Sequence, residues 1–197
     1  METILKKGSE KIINLFYKDK YLNIHLRDIA RKTNLNENSA SRFLKQLEEQ
    51  QILTSKKQGN LKNYSIEKNK NVFVLFSFFD IKKYNKLPSI RKNAVNYFFE
   101  NLKEKPILVV LFGSTAKENF TKNSDLDLLL VVNKKIKTND AENYVESQTG
   151  ININCFQVSF NDFIKEIKIK QDKVIQSAVK SGYPLINHIY YYEVVLK

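Results

Sequence analysis

Two uninterrupted apolar runs, Ile107 to Phe112 and Leu128 to Val132, bracket a short segment that holds Gly113-Ser114 and the acid pair Asp125 and Asp127. Apolar runs with no polar alternation, bounded by Pro106 and Gly113, predict central strands buried on both faces. Along a strand, residues i and i+2 point to the same face, so Asp125 and Asp127 project together at the start of the second run, beside the glycine turn. Carboxylates held that close repel each other unless a cation lies between them. The expected cation is Mg²⁺, bound by one or two carboxylates together with substrate phosphates. Gly113 lets the backbone approach a ligand closely, and the residues after it can open a short helix whose free N–H groups and dipole favour phosphate.

Gly113-Ser114, ten residues, then Asp125-x-Asp127 resembles the signature of the DNA-polymerase-β-type nucleotidyltransferase superfamily, in particular its minimal members. Ala116 and Lys117 fit the small-then-basic pair that follows Gly-Ser in that group, and Ser124 fits before the first acid. The resemblance, carried by residues 106 to 158, implies transfer of a nucleoside monophosphate, AMP from ATP being expected, to an acceptor hydroxyl with release of pyrophosphate. It implies that Gly113 and Ser114 hold the triphosphate, that Lys117 adds a phosphate contact, and that Asp125 and Asp127 ligate Mg²⁺. The family also supplies a third acid from a later strand. Here that strand is expected at Ile151 to Val158, and its alternating residues Asn152, Asn154 and Phe156 include no carboxylate. Asn154 is the expected occupant of the third position. An asparagine carbonyl can touch a hard cation, but it brings no charge and is a poor base. Asp140, Glu142, Glu146 and Asp162 are expected on helices or loops and offer no obvious substitute.

The N-terminal third follows a different pattern. Ile12, Ile13, Phe16 and Tyr17 predict a helix over residues 9 to 19 capped by Ser9. A short extended piece to His25, a helix from Leu26 to Thr33 and a turn at Asn34-Leu35 follow. Ala40, Phe43, Leu44 and Leu47 then define a buried helical stripe, with Asn38, Ser41, Arg42 and Lys45 on the opposite face. Residues 52 to 57 and 61 to 66 read as two strands joined through Gln58-Gly59-Asn60, flanked by Lys56, Lys57 and Lys62. Residues 1 to 68 resemble the winged-helix transcription regulators. That resemblance implies a recognition helix in the major groove of double-stranded DNA and wing lysines on phosphates. Winged helices also serve as docking or dimerisation modules.

Residues 69 to 104 are expected to be connecting helices. Val72 to Tyr84 forms either a connecting helix or a dimerisation helix that would give a homodimer on a palindromic site. Ser89 is expected to cap a second helix, running to about Lys103 with Ile90, Ala94, Val95, Phe98 and Leu102 inward. Residues 105 to 197 make the nucleotidyltransferase-like domain. In it, 161 to 180 read as one helix ending near Gly182, and the tyrosines 190 to 192 read as packing residues. The fold class is thus α/β in the α+β sense: a winged helix-turn-helix followed by a mixed sheet flanked by helices.

Residues 1 to 70 carry 15 Lys plus Arg against 8 Asp plus Glu, within a chain of net charge +12. That bias points to a polyanion partner, although basic surfaces also arise without one. The single Cys155 excludes an internal disulfide and a multi-thiolate zinc site, and its expected role is core packing. No apolar stretch is long enough to cross a bilayer and no signal-peptide core is evident, so a cytoplasmic protein without membrane contact is expected. The competing functions are a nucleotidyl-transferring enzyme, with a partner toxin among the acceptors the resemblance implies, and a DNA-binding regulator whose second domain senses nucleotide or docks a protein. A pair of pure protein-interaction modules is the third.

Overall fold

A computed structural model of the chain describes residues 5–59 and 61–196. The chain divides into two compact units, Met1–Phe79 with Leu196–Lys197, and Asp80–Val195.

In the first unit, α1 (Lys7–Lys18), β1 (Ile24–His25), α2 (Leu26–Thr33) and α3 (Glu37–Glu49) precede a hairpin of β2 (Leu53–Gln58) and β3 (Leu61–Ile66). β3 pairs antiparallel with both β1 and β2. Helix α1 starts earlier than expected. Its cap is Lys6, without a side-chain bond, while Ser9 is buried inside the first turn rather than capping it. Helix α2 ends in Asn34, whose left-handed φ of 52° an asparagine tolerates. Asn36 then caps α3 by accepting from the Ser39 N–H at 2.8 Å, so the tight turn is chemically specified at both sides. Ile12, Ile13, Phe16, Ile29, Ala40, Leu44 and Leu47 are buried. Phe43 is only half-buried, and a Cβ on Gly8 would overlap its ring. The hairpin turn pairs Gln58 with Leu61 around Gly59, at φ 61°; Asn60, the other expected turn residue, lies outside the described residues, as do residues 1 to 4 of the expected first domain.

Helix α4 (Lys70–Asn85) carries the chain from the first unit into the second. In the second unit follow α5 (Ser89–Asn101), β4 (Leu108–Phe112), α6 (Gly113–Ala116), β5 (Leu126–Val132), α7 (Asn139–Thr149), β6 (Ile153–Ser159), α8 (Phe160–Ile169), α9 (Lys173–Ser181), β7 (Tyr183–Ile186) and α10 (His188–Leu196). The sheet order is β6-β5-β4-β7, with β5–β6 parallel and the other pairs antiparallel. This is the mixed sheet expected. Strands β4 and β5 are buried on both faces: Val109, Leu111, Leu128 and Leu130 belong to a core with Ala94, Val95 and Phe98 of α5 and Ala141 and Val145 of α7, while Val110 and Leu129 are equally buried on the other face. Helix α5, read from sequence as a connector, therefore packs in this unit's core.

Three features of the second unit differ from the sequence reading. Pro88, not Ser89, is the α5 cap, and the buried stripe is turned by one residue: Ile90 is 46% exposed and Arg91 only 2%. The stretch 161 to 180 is two helices. Lys170 takes a φ of 57°, Glu166 accepts from the N–H groups of Gln171 and Asp172, and Asp172 caps α9. Strand β7 was not anticipated; its four residues sit where Tyr183 and Pro184 align with Leu111 and Val110. Tyr191 and Tyr192 are buried, the latter donating to Asp80 at 2.7 Å, in keeping with packing roles, whereas Tyr190 is 41% exposed and stacks on Phe160. Cys155 packs against the core, and burial pushes its thiol well above the usual range.

Candidate functional site

Strand β4 ends at Phe112, which is paired with Asp127 across the antiparallel ladder. Asp127 is in turn paired with Asn154 across the parallel ladder to β6. Register alone therefore places the glycine turn, the second acid and the asparagine side by side on one face of the sheet. Asp125 lies just before β5, two residues upstream of Asp127 and on the same side.

The backbone at Gly113 has φ 68°, and a Cβ there would overlap Asp127 Oδ2 and lie 2.9 Å from its Cγ. Glycine is required twice over, by conformation and by the carboxylate pressed against it. Helix α6 is a single turn in which Ser114 is half-buried and Thr115 and Ala116 are buried. Lys117 closes that turn through its own N–H and is exposed, with Glu118 following at φ 60°.

Asn154 joins the acids directly. Its Nδ2 donates to Asp127 Oδ1 at 3.0 Å and to Asp125 Oδ2 at 3.3 Å. One neutral amide thus supplies both carboxylates with a donor where they would otherwise face each other unscreened. Among the described residues no group of three or more His, Cys, Asp or Glu forms a metal cluster, because the third corner is this amide. The donor set nevertheless fits a hard divalent cation: two anionic oxygens converge on one point, and turning the amide over would present Oδ1 as a third. The other acids stand apart. Asp140 is paired with Lys103 at 2.9 Å, and Asp162 accepts from Ser159 at the start of α8. Phe156, two residues beyond Asn154, is 39% exposed and packs edge-on against Phe112, ring centroids 5.6 Å apart.

Arg91 is the residue that sequence reasoning missed. Its Nη1 donates to Thr115 Oγ1 at 2.8 Å, and Nη2 to the carbonyls of Thr121 at 2.9 Å and Ser124 at 2.7 Å. The Phe120 ring lies 4.3 Å from its Cζ. Burial pulls the guanidinium below its usual range, while the Asp125 carboxylate acts in the opposite sense. The sequence held a signal: Arg91, Val95 and Phe98 stand at i, i+4 and i+7, so a cation shared a helical stripe with two core residues.

In the first unit, Asn38, Ser41, Arg42 and Lys45 are all exposed on one face of α3. Lys45 reaches Glu49 at 3.9 Å, and the Arg42 guanidinium lies 5.5 Å from the Phe43 ring. Lys56 and Lys57 are exposed on β2, whereas Lys62 on β3 is held by Glu48 of α3 at 2.8 Å.

These features define an α/β domain that presents two acids and a glycine turn at the ends of its central strands. Residues 92–188 match the family model described as Polymerase beta, Nucleotidyltransferase, so the second unit carries a nucleotidyltransferase domain. No curated protein matches the chain. Three solved structures share weaker likenesses. A crystal structure of a toxin-antitoxin with AMP-PNP is 16% identical, over 52% of this chain and 81% of that one, at a TM-score of 0.38. Lactococcus lactis ZitR in complex with DNA is 15% identical, over 51% and 74%, at 0.32, and a mutant of ZitR is 16% identical, over 50% and 73%, at 0.34. At those scores the likenesses do not assign a fold. No described helix is long and apolar enough to cross a membrane.

Proposed function

We propose that the second unit binds Mg²⁺ and a nucleoside triphosphate, ATP in the first instance, and transfers the nucleoside monophosphate slowly to a hydroxyl acceptor. The observation that carries this reading is the convergence of Gly113, Asp125, Asp127 and Asn154 through ladder register and the Asn154 bonds. The backbone N–H groups of the Gly113 turn would face phosphate oxygens, the Ser114 hydroxyl would donate to one of them, and the Lys117 ammonium would add charge from the end of the turn. Asp125 and Asp127 would hold Mg²⁺, which neutralises charge developing on the phosphates. The acceptor oxygen bonds to the α-phosphorus, the bond to the bridging oxygen breaks, and pyrophosphate leaves. The acceptor's proton passes to solvent, because Asn154 is no base. General-base catalysis contributes roughly 10²–10⁴-fold, so turnover is expected to be slow by about that factor.

The first unit is proposed to be a winged helix that binds double-stranded DNA through α3 and the β2–β3 wing. Four polar or basic side chains exposed on one face of α3 support this, as do Lys56 and Lys57. A second reading draws on the same Asn154 bonds. With a neutral amide between the acids, the domain senses or docks without turnover, and the protein acts as a DNA-binding regulator.

Radiolabelled ATP with Mg²⁺ and hydroxyl-bearing protein or small-molecule acceptors, a partner toxin included, separates the two. The transfer reading expects slow label transfer that Asp125→Ala and Asp127→Ala abolish and Asn154→Asp accelerates by one or more orders of magnitude. No transfer above the Asp127→Ala background, in both the natural chain and Asn154→Asp, rejects it in favour of the regulator.

A further inference from the structure

We propose that Arg91 is a positioning residue for the nucleotide and metal site: a buried brace that sets the separation between the glycine turn and the first carboxylate. The inference rests on the nucleotide reading above. The two halves of that site lie on different strands, one at the end of β4 and one at the start of β5, joined by the loop 117–124. Within this loop the bonds are local: Asn119 N–H to Ser114 O, Ser124 N–H to Thr121 O, and Thr121 N–H to Ser124 Oγ. Arg91 approaches from outside, on α5. Its single planar fork touches Thr115, the neighbour of Ser114, and Ser124, the neighbour of Asp125, with Thr121 as a third point. A rigid guanidinium with its donors in one plane fixes the relative positions of three acceptors, which a lysine's single nitrogen on a flexible stem does not do.

Burial strengthens the brace. Arg91 is 2% exposed and Thr115 1%, and the Phe120 ring lies over the guanidinium. Charge adds a second effect. The Asp125 carboxylate acts on the guanidinium in the sense that keeps it charged, against the effect of burial. Arg91 touches neither metal nor nucleotide. It acts through Thr115 on the turn and through Ser124 on Asp125, one residue ahead of the segment that matches the family model.

The test uses the full chain and a non-hydrolysable ATP analogue with Mg²⁺, titrated calorimetrically well below the Tm of each variant. Arg91→Lys keeps the charge and loses the fork, while Thr115→Val removes one acceptor at nearly constant shape. Each is expected to weaken the analogue by about tenfold, the loss of one charge-assisted hydrogen bond. The double variant is expected to be little worse than Arg91→Lys alone, since both remove the same link. In Arg91→Ala, added methylguanidinium is expected to restore affinity and methylammonium to leave it low. Wild-type affinity in Thr115→Val, or additive losses in the double variant, overturns the proposal, and so does an Arg91→Lys protein that loses Tm but not affinity. If Arg91→Lys fails to fold, Thr115→Val decides by itself. A natural chain that takes up no analogue overturns the nucleotide reading and this inference with it; the outcomes above overturn the inference alone.

Discussion

Asn154 ties the two acids together through one neutral amide. Replacing it with Asp would put three carboxylates where one amide now donates to two. Asn154→Asp is therefore expected to lower Tm in chelator and to make Tm rise with Mg²⁺, a linkage the natural chain shows more weakly; a Tm indifferent to Mg²⁺ in the variant contradicts the cation assignment. Gly113→Ala tests the other side. Left-handed backbone costs a non-glycine residue about 1–2 kcal/mol, and its Cβ would meet the Asp127 carboxylate, so thermal melting is expected several degrees lower with nucleotide binding lost. Most of these residues were readable in the sequence, because Gly113, Asp125 and Asp127 sit at fixed offsets from apolar runs and strand period two does the rest. Arg91 was not. Helical spacing fitted either Ile90 or Arg91 on the buried stripe, and the three acceptors that favour arginine lie 24 to 33 residues away.

Elements built on strong local patterns matched expectation, and those decided by tertiary pairing did not. Helix α2 and strand β3 fall where periodicity put them, and α3 buries Ala40, Leu44 and Leu47 of its expected stripe while Phe43 stays half-buried. Strand β7 is four residues with a proline, too short to announce itself, and exists because β4 offers an open edge. The break between α8 and α9 depends on Glu166 reaching forward to two backbone N–H groups, which periodicity does not encode. Helix α3 is tied to the hairpin by Glu48, which accepts from Lys62 and Ser55. Burial raises the Glu48 carboxyl, but those bonds outweigh it and hold its pKa below the ordinary 4.5. A lowered folded pKa means stabilisation present above the unfolded value and lost as pH falls through the folded one. Glu48→Gln is thus expected to lower stability by under ~1 kcal/mol near neutral pH, given the exposed lysine, and the gap from the natural chain should close below pH 4.5. Melting curves across pH check this; a gap that persists in acid rejects it.

At the level of the whole molecule there are two compact units, the first basic and built of helices and a three-stranded sheet, the second holding the segment that matches the nucleotidyltransferase family model. If the first unit binds DNA as proposed, affinity should fall steeply with salt. Lys56→Ala should flatten the log–log salt slope by about 0.9, whereas Arg42→Ala should weaken binding to a preferred sequence more than to random DNA. Equal losses on both DNAs would remove α3 as the reader. Everything proposed for the second unit depends on the nucleotide site. The decisive experiment is a crystal of the full chain soaked with Mg²⁺ and a non-hydrolysable ATP analogue. A cation bridging Asp125 and Asp127 is expected, with the triphosphate against Gly113 and Ser114 and the Asn154 amide turned to offer its oxygen. A nucleotide bound elsewhere, or an acid pair still bonded to the Asn154 amide at saturating Mg²⁺ and analogue, would contradict it.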